Sequence, residues 1–458
     1  MKYSEKYSEN ISWSFISGIA IAAAAVVSPL AVLMPGPVEA FQDSPKSVLD
    51  EAWQIVYREY VDGSFNRTDW IAIRQTLLSQ DYSSRREAYR ELRRALQQLN
   101  DPYTRFLDPD QYAELTEQTS GEVSGVGMQL RREDDSIVVV SVIEGSPAAQ
   151  SDIRSGDRIV MVDGRSTERL SVETVSQLIR GEQGSQVTVT LERAGRSETV
   201  VLTRARLEVA TVDYDVREQS DIRIGYIRLS EFSAHAAEQM QVAIEQLDTE
   251  ENVEAFVLDL RNNPGGLLNA SIDISRMWLP RGPIVRTVDR DGNDDEISAN
   301  RTALTDLPLA VLVNGQSASS SEIVTGALRD NNRAVVVGSP TFGKALVQSL
   351  HGLSDGSGIA VTVAHYYTPN GTDISSKGIS PDVYIELTRN QQQALSQNPD
   401  LLGTSADPQF VEAVGALEGG ILARRQQASP AATNLHSGST PQLGRTLALP
   451  EASPAPAP

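Results

Sequence analysis

Four short apolar runs between residues 225 and 338 limit what the chain can fold into. They lie at 225–229, 255–260, 309–313 and 334–338, and each reads as a strand. A stretch of helical spacing, 236–247, lies between the first two. From 207 to about 390 strands and helices alternate, which is the pattern of an α/β core. The run 256–261 is apolar up to Asp259 and Arg261, then breaks into the tight turn Asn262-Asn263-Pro264-Gly265-Gly266.

The segment before that core reads differently. Val48, Leu49, Ala52, Trp53, Val56 and Tyr60 form one apolar helical stripe, and Ala88, Leu92, Leu96 and Leu99 another. Residues 41–120 are therefore expected to be a helical region. Asp101-Pro102-Tyr103-Thr104 breaks the second stripe, and no chemistry is visible there, so a cap or scaffold is expected. From 121 to 206 the pattern turns to short strands, opening with Gly125-Val126-Gly127-Met128 and continuing through the β-rich run 137–143. The expected fold is α/β and multidomain.

The chemistry concentrates between 314 and 348. Ser317, Ser319, Ser320 and Ser321 precede a helical pattern of Ile323, Val324, Ala327 and Leu328. Serines before a helix are most often N-cap candidates, so the run alone does not name a nucleophile. A Gly-flanked lysine, Lys344, follows, with Gln348 four residues on. Lysine can deprotonate a serine only if desolvation disfavours its ammonium form. Phe342 and Val347 are apolar, Gly343 permits close packing, and Gln348 can hold an amine without adding charge. The chain has no cysteine and four histidines, His235, His351, His365 and His436. A thiol nucleophile is excluded. A Ser-His-Asp triad through His351 or His365 stays open. No His-Glu-x-x-His or Cys/His cluster points to zinc, and no cofactor or metal is expected.

These residues resemble the carboxyl-terminal processing proteases, also called tail-specific proteases, Ser-Lys serine peptidases with a PDZ domain. The resembling elements are Ser317-Ala318-Ser319-Ser320-Ser321-Glu322, Asp330, and Thr341-Phe342-Gly343-Lys344-Ala345-Leu346-Val347-Gln348. The resemblance implies that Ser319 is the nucleophile, Lys344 its general base, Gln348 the residue that orients the lysine, and Asp330 a supporting catalytic residue. The Asp259-Leu260-Arg261 element with Pro264-Gly265-Gly266 is similar to the family's second element. It implies an oxyanion hole made by the N–H groups of Gly265 and Ser320. Ser320 and Ala345 depart from the usual small residues, and His365 stands where an arginine is usual.

The stretch 121–206 resembles a PDZ domain, with 170–179 as its peptide-flanking helix and 187–191 as its last core strand. The resemblance implies that an extended peptide adds beside that helix and that Gly125, Val126 and Gly127 receive its terminal carboxylate. The resulting division is 1–40 signal peptide, 41–120 helical region, 121–206 inserted PDZ domain, 207–390 catalytic core, 391–427 C-terminal segment with a helix near 408–425, and 428–458 a tail rich in Ser, Pro and Ala. Phe41-Gln42-Asp43-Ser44-Pro45 and Phe65-Asn66-Arg67-Thr68-Asp69-Trp70 look most like the photosynthetic branch, some of whose members trim a photosystem II reaction-centre precursor.

The formal net charge is −21 with a pI near 4.7, and no basic stripe offsets it, so nucleic acid is not an expected partner. The apolar stretch 16–34 after Lys2 and Lys6, with Val38-Glu39-Ala40, reads as a secretory signal. Left uncleaved, it would be the chain's only membrane contact. Export to a periplasm or a thylakoid lumen is expected, with protein substrates bearing free apolar C-termini as partners. No long self-complementary helix fixes an oligomeric state. The leading expectation is an exported serine endopeptidase cutting near substrate C-termini. The alternative is a catalytically silent PDZ adaptor. A third reading, a small-ester hydrolase, would need a histidine beside the serine.

Overall fold

The computed structural model describes residues 44–428. The expected signal segment and most of the 428–458 tail lie outside the described residues. Among the described residues, no helix is long and apolar enough to cross a membrane.

The apolar runs form the middle of a six-stranded sheet. Ile222–Leu229, Ala255–Asp259, Leu309–Val313, Val335–Gly338 and Val383–Tyr384 lie side by side and parallel, and Val212–Gln219 closes one edge antiparallel. Every residue of Ala255–Asp259 and Leu309–Val313 is buried, as expected of parallel strands covered on both faces. One face is covered by the helices Ala236–Glu245, Leu268–Trp278 and Ser320–Asp330, around Phe256, Trp278 and Val324. Tyr226, Leu312 and Val337 face the helix Pro408–Ala428 on the other side, through Phe410, Val414 and Leu417. Each such side chain contributes about 1.5–3 kcal/mol on burial. The two layers thereby fix where the strands end.

A second sheet stands beside the first. Its long strand Gly358–Tyr367 pairs with Arg105–Leu107, Pro283–Asp289 and Leu346–Gly352. The N-terminal helices Pro45–Glu59, Trp70–Ser79 and Arg85–Gln97 pack through Val48, Trp53, Trp70 and Leu92 against Ile359 and Val361 of that strand.

The segment from 126 to 203 has its own core around Val139, Ile159, Val175 and Val189. It leaves and rejoins the chain through a two-stranded ribbon, Glu122–Gly125 against Ala205–Glu208. Its sheet runs Met128–Glu133, Ser136–Val142, Arg158–Val162, Gln186–Arg193, Arg196–Thr203. One expectation is corrected here: 187–191 is not the last strand, because Arg196–Thr203 pairs beyond it. Of that edge strand only Leu202 is buried; its first four residues are polar and Val200-Val201-Leu202 do not alternate, so the period-two pattern of a strand is missing.

Candidate active site

Three loops at the carboxyl ends of neighbouring parallel strands build the site, where open α/β sheets place their ligands. Residues 260–266 follow Ala255–Asp259, 314–319 follow Leu309–Val313, and 339–344 follow Val335–Gly338.

The serine turn resolves the ambiguity left by its sequence. Ser317 Oγ donates to the Leu260 carbonyl at 2.8 Å and accepts the Asn314 N–H at 3.0 Å. Ser320 Oγ donates to the Gly266 carbonyl and Ser321 Oγ to the Asn263 carbonyl, each at 3.0 Å. All three are buried and serve to hold the glycine turn. Ser319 alone is partly exposed; it shares a capping box with Glu322 at the start of the helix, and among the described residues its hydroxyl donates no hydrogen bond. It sits at the N-cap of the helix Ser320–Asp330 with φ 54° and ψ −113°. That conformation is strained for a residue with a Cβ, at a cost of about 1–3 kcal/mol, and such strain persists only where surrounding contacts impose it.

Glu322 imposes it. Its side chain is wholly buried and accepts four hydrogen bonds. One oxygen takes the N–H groups of Ser319 and Lys344, both at 2.9 Å. The other takes the Thr341 hydroxyl at 2.6 Å and the Gly343 N–H at 2.7 Å. The serine turn and the lysine loop are thus fixed to one carboxylate. Tyr366 adds a hydrogen bond from its hydroxyl to the Ser319 carbonyl at 3.2 Å. Gly343 has φ 89°, and a Cβ there would stand 2.7 Å from the backbone nitrogens of Lys377 and Gly378, so only glycine fits.

Lys344 Nζ donates to Gln348 Oε1 at 3.1 Å, across a bulge in the strand Leu346–Gly352. The amine is held below the ordinary lysine range. Burial is the main cause, the like charge of Arg105 adds to it, and Asp101 and Glu322 oppose it. That is the direction a general base requires. Nζ also stands 4.8 Å from the centroid of the Tyr103 ring. Lys344 Nζ and Ser319 Oγ are not hydrogen-bonded to each other.

Gly265 lies against the serine turn. A Cβ built on it would be 2.9 Å from Ser319 Cβ and 3.1 Å from the Ser320 nitrogen. The Ser320 N–H, at the first helical position, has no acceptor in its own helix. The Gly265 N–H donates to Asn263 Oδ1 at 2.8 Å. Asn263 is buried and fixed in turn by donating to the Leu229 carbonyl.

One expected site residue is elsewhere. Asp330 ends the helix that Ser319 caps, and eleven residues at 1.5 Å per residue place it about 16 Å away. It accepts the Asn370 N–H at 3.0 Å and steadies that turn. The three histidines of the described residues also stand apart. His365 is exposed, on the opposite face of its strand from Tyr366. His351 pairs with Glu59 and Ser349, and His235 lies between Glu122 and Glu208. None of them hydrogen-bonds to Ser319.

Below the glycine turn, Arg261 is bound on both sides by Asp259 and Asp407 and also donates to Gln409. Asp259 accepts the Tyr226 hydroxyl at 2.6 Å. Sequence reasoning missed Asp407, Glu322's clamping role and Tyr103.

In the strand-rich segment the Val126 carbonyl accepts the Ala148 N–H and the Gly127 carbonyl the Ile143 N–H. Among the described residues, the N–H groups of Val126 and Gly127 are not hydrogen-bonded. Gly125 is buried in the ribbon opposite Ala205. The strand Met128–Glu133 has one neighbour and runs beside the helix Val172–Ile179, leaving an edge open.

Comparison with known proteins decides the family. The profile of peptidase family S41 matches residues 223–385, and a PDZ-domain profile matches 138–193. The carboxyl-terminal-processing protease of Synechocystis is 40% identical over 403 residues, covering 87% of this chain and 92% of that one. This chain belongs to the carboxyl-terminal-processing proteases of peptidase family S41. The C-terminal processing peptidase of Tetradesmus obliquus chloroplasts is 40% identical over 354 residues, 73% of this chain and 76% of that one. A solved structure titled photosystem II D1 C-terminal processing protease is 37% identical, with a TM-score of 0.51, covering 80% of this chain and 99% of that one. The S41 protease is thus a serine peptidase carrying a PDZ domain, related to cyanobacterial and chloroplast processing enzymes.

Proposed function

We propose that the chain is an exported endopeptidase that captures the free apolar C-terminus of a protein and cuts near it by Ser-Lys acyl-enzyme chemistry. The observation that carries this reading is the selection of Ser319. Of the four clustered serines, it alone is partly exposed and, among the described residues, donates its hydroxyl to no carbonyl, on a strained turn fixed through Glu322 to the loop of a desolvated lysine.

The steps follow from these positions. Ser319 Oγ attacks the scissile carbonyl as neutral Lys344 takes its proton, and Gln348 holds the amine in place. The oxyanion is received by the N–H groups of Ser320 and Gly265, with the Gly265 N–H exchanging Asn263 Oδ1 for the substrate oxygen. Lys344 returns the proton to the leaving amine, and the acyl-enzyme forms. Water, deprotonated by Lys344, then attacks the ester, and Ser319 leaves with the proton. Catalytic contacts commonly tighten when substrate binds, so the absence of a Ser319–Lys344 hydrogen bond is compatible with this sequence.

Val126 and Gly127 offer their N–H groups to a C-terminal carboxylate, and the open edge of Met128–Glu133 accepts the preceding residues as an added strand. Gly125 supports this loop from the ribbon. A photosystem II D1-type C-terminal extension is a candidate substrate, since the 37% identical structure bears that name. The compartment is then a thylakoid lumen or periplasm.

The test compares a peptide ending in an apolar residue with its C-terminally amidated form. Faster cleavage of the free acid by the unsubstituted chain, and none by Ser319→Ala, is expected. Equal rates would remove the tail-capture step.

A further inference from the structure

Among the described residues, the Lys344 amine has one hydrogen-bond partner, Gln348 Oε1. Its other close neighbour is an aromatic face, the Tyr103 ring, with the centroid 4.8 Å from Nζ. Tyr103 lies in the turn between the helix Arg85–Gln97 and the strand Arg105–Leu107, far from the lysine in sequence.

The placement of that ring is well determined. Asp101 Oδ1 accepts the Tyr103 N–H at 2.9 Å, and Asp101 Oδ2 accepts the hydroxyls of Thr104 and Thr362, each at 2.7 Å. Thr104 Oγ1 accepts the Thr362 N–H at 3.1 Å. Thr362 is also the register partner of Gln348. The adjoining strand Arg105–Leu107 pairs with the same strand, Arg105 opposite Ala360. Both groups that meet the lysine amine are therefore fixed to one strand, Gly358–Tyr367.

We propose that Tyr103 is a positioning residue for Lys344, its ring face confining the amine beside Gln348 and keeping water from that side. The proposal rests on Lys344 being the base, but its test does not need cleavage. A ring acts on a nearby amine in two opposed ways. Its quadrupole favours the cation, and its exclusion of water disfavours it. Burial is the largest influence on Lys344 and holds it below the ordinary value. In the proposed arrangement the ring acts in that same direction. The contact is made by the ring face, so phenylalanine should substitute for tyrosine.

The chain has only five lysines, Lys2, Lys6, Lys46, Lys344 and Lys377, which makes site-resolved labelling practical. The experiment is pulsed acetylation with acetic anhydride across a pH series, on the full chain carrying Ser319→Ala, read by peptide mass spectrometry. Lys46 and Lys377 serve as internal references. The Lys344 midpoint should lie below theirs. Tyr103→Leu should raise it by about one pH unit, a tenfold change in the proton equilibrium. Tyr103→Phe should keep it low. In the chain with Ser319 restored, Tyr103→Leu should lower kcat about tenfold with little change in KM, as loss of base function does.

An unchanged Lys344 midpoint in Tyr103→Leu, or an equal rise in Tyr103→Phe, would overturn the proposal. If Tyr103→Leu does not fold, judged by its melting curve, Tyr103→Met is read in its place under the same criteria. A chain that cleaves nothing but shows the expected labelling would instead overturn the protease reading and leave the Tyr103 placement standing.

Discussion

One oxygen of Glu322 accepts the backbone N–H of Ser319 and that of Lys344, each at 2.9 Å. The two halves of the proposed reacting pair are thereby tied to one buried atom. The carboxylate also receives Thr341 and Gly343, so the strained Ser319 turn and the lysine loop form a single unit.

Glu322→Gln keeps the shape and removes acceptor capacity, since its NH2 group must face donors. Leaving buried donors unpaired costs about 3 kcal/mol. Chemical denaturation should show a loss of that size. The folded fraction should also show a kcat reduced by at least about tenfold, because Ser319 leaves its strained conformation. A variant as stable and active as the parent would remove Glu322 from this role.

With Lys344 as the proposed base, its amine sets the pH dependence. Its folded value lies below the ordinary lysine range, so the unfolded chain binds the proton more tightly. Its contribution to stability is therefore full above the ordinary lysine value and is lost as pH falls through the folded one. Activity follows the neutral amine and should rise with pH through that same folded value. Arg105 is an exposed like charge that helps hold it down. Arg105→Gln should move the acid limb of kcat to higher pH, and raised salt should shrink the difference between the two proteins. A limb that does not move would assign the shift to burial alone.

The serines of the turn should separate cleanly. Ser320→Ala removes a hydrogen bond to the Gly266 carbonyl and keeps the Ser320 N–H, so it should cost about 1 kcal/mol of stability while acyl-enzyme still forms. Ser319→Ala should cost about 1 kcal/mol of stability, as loss of an N-cap hydroxyl does, and abolish turnover. Covalent trapping by a serine-reactive phosphonate, read by mass spectrometry, distinguishes them.

Asp330 makes the opposite prediction to the one its sequence position suggested. Asp330→Ala loses the contact to the Asn370 N–H and should change kcat/KM by less than about threefold, with a modest fall in melting temperature. A loss of several orders of magnitude would show that the far end of the helix acts on the site.

These contrasts show what the sequence could carry. The buried strands Ala255–Asp259 and Leu309–Val313 were legible because parallel strands covered on both faces read as unbroken apolar runs. Lys344 and Gln348 were legible because they are four residues apart. Asp330 entered the expected site through the resemblance alone, while the helix carries its last residue away from its first. Glu322 looked like part of a helix start, since its donors at 341–344 come from a different strand end. Asp101 and Tyr103 read only as a helix break, because their partners Thr362 and Lys344 lie across the fold. The edge strand Arg196–Thr203 escaped notice because its one buried side chain leaves no periodicity to detect.

The most direct test of the central claim is mass spectrometry of an unfolded protein with an apolar C-terminus, incubated in parallel with the unsubstituted chain, Ser319→Ala and Lys344→Ala. The account predicts cuts near the tail by the unsubstituted chain only, with both variants folded and inert. Cleavage that survives in Lys344→Ala, or that persists in Ser319→Ala, would contradict it.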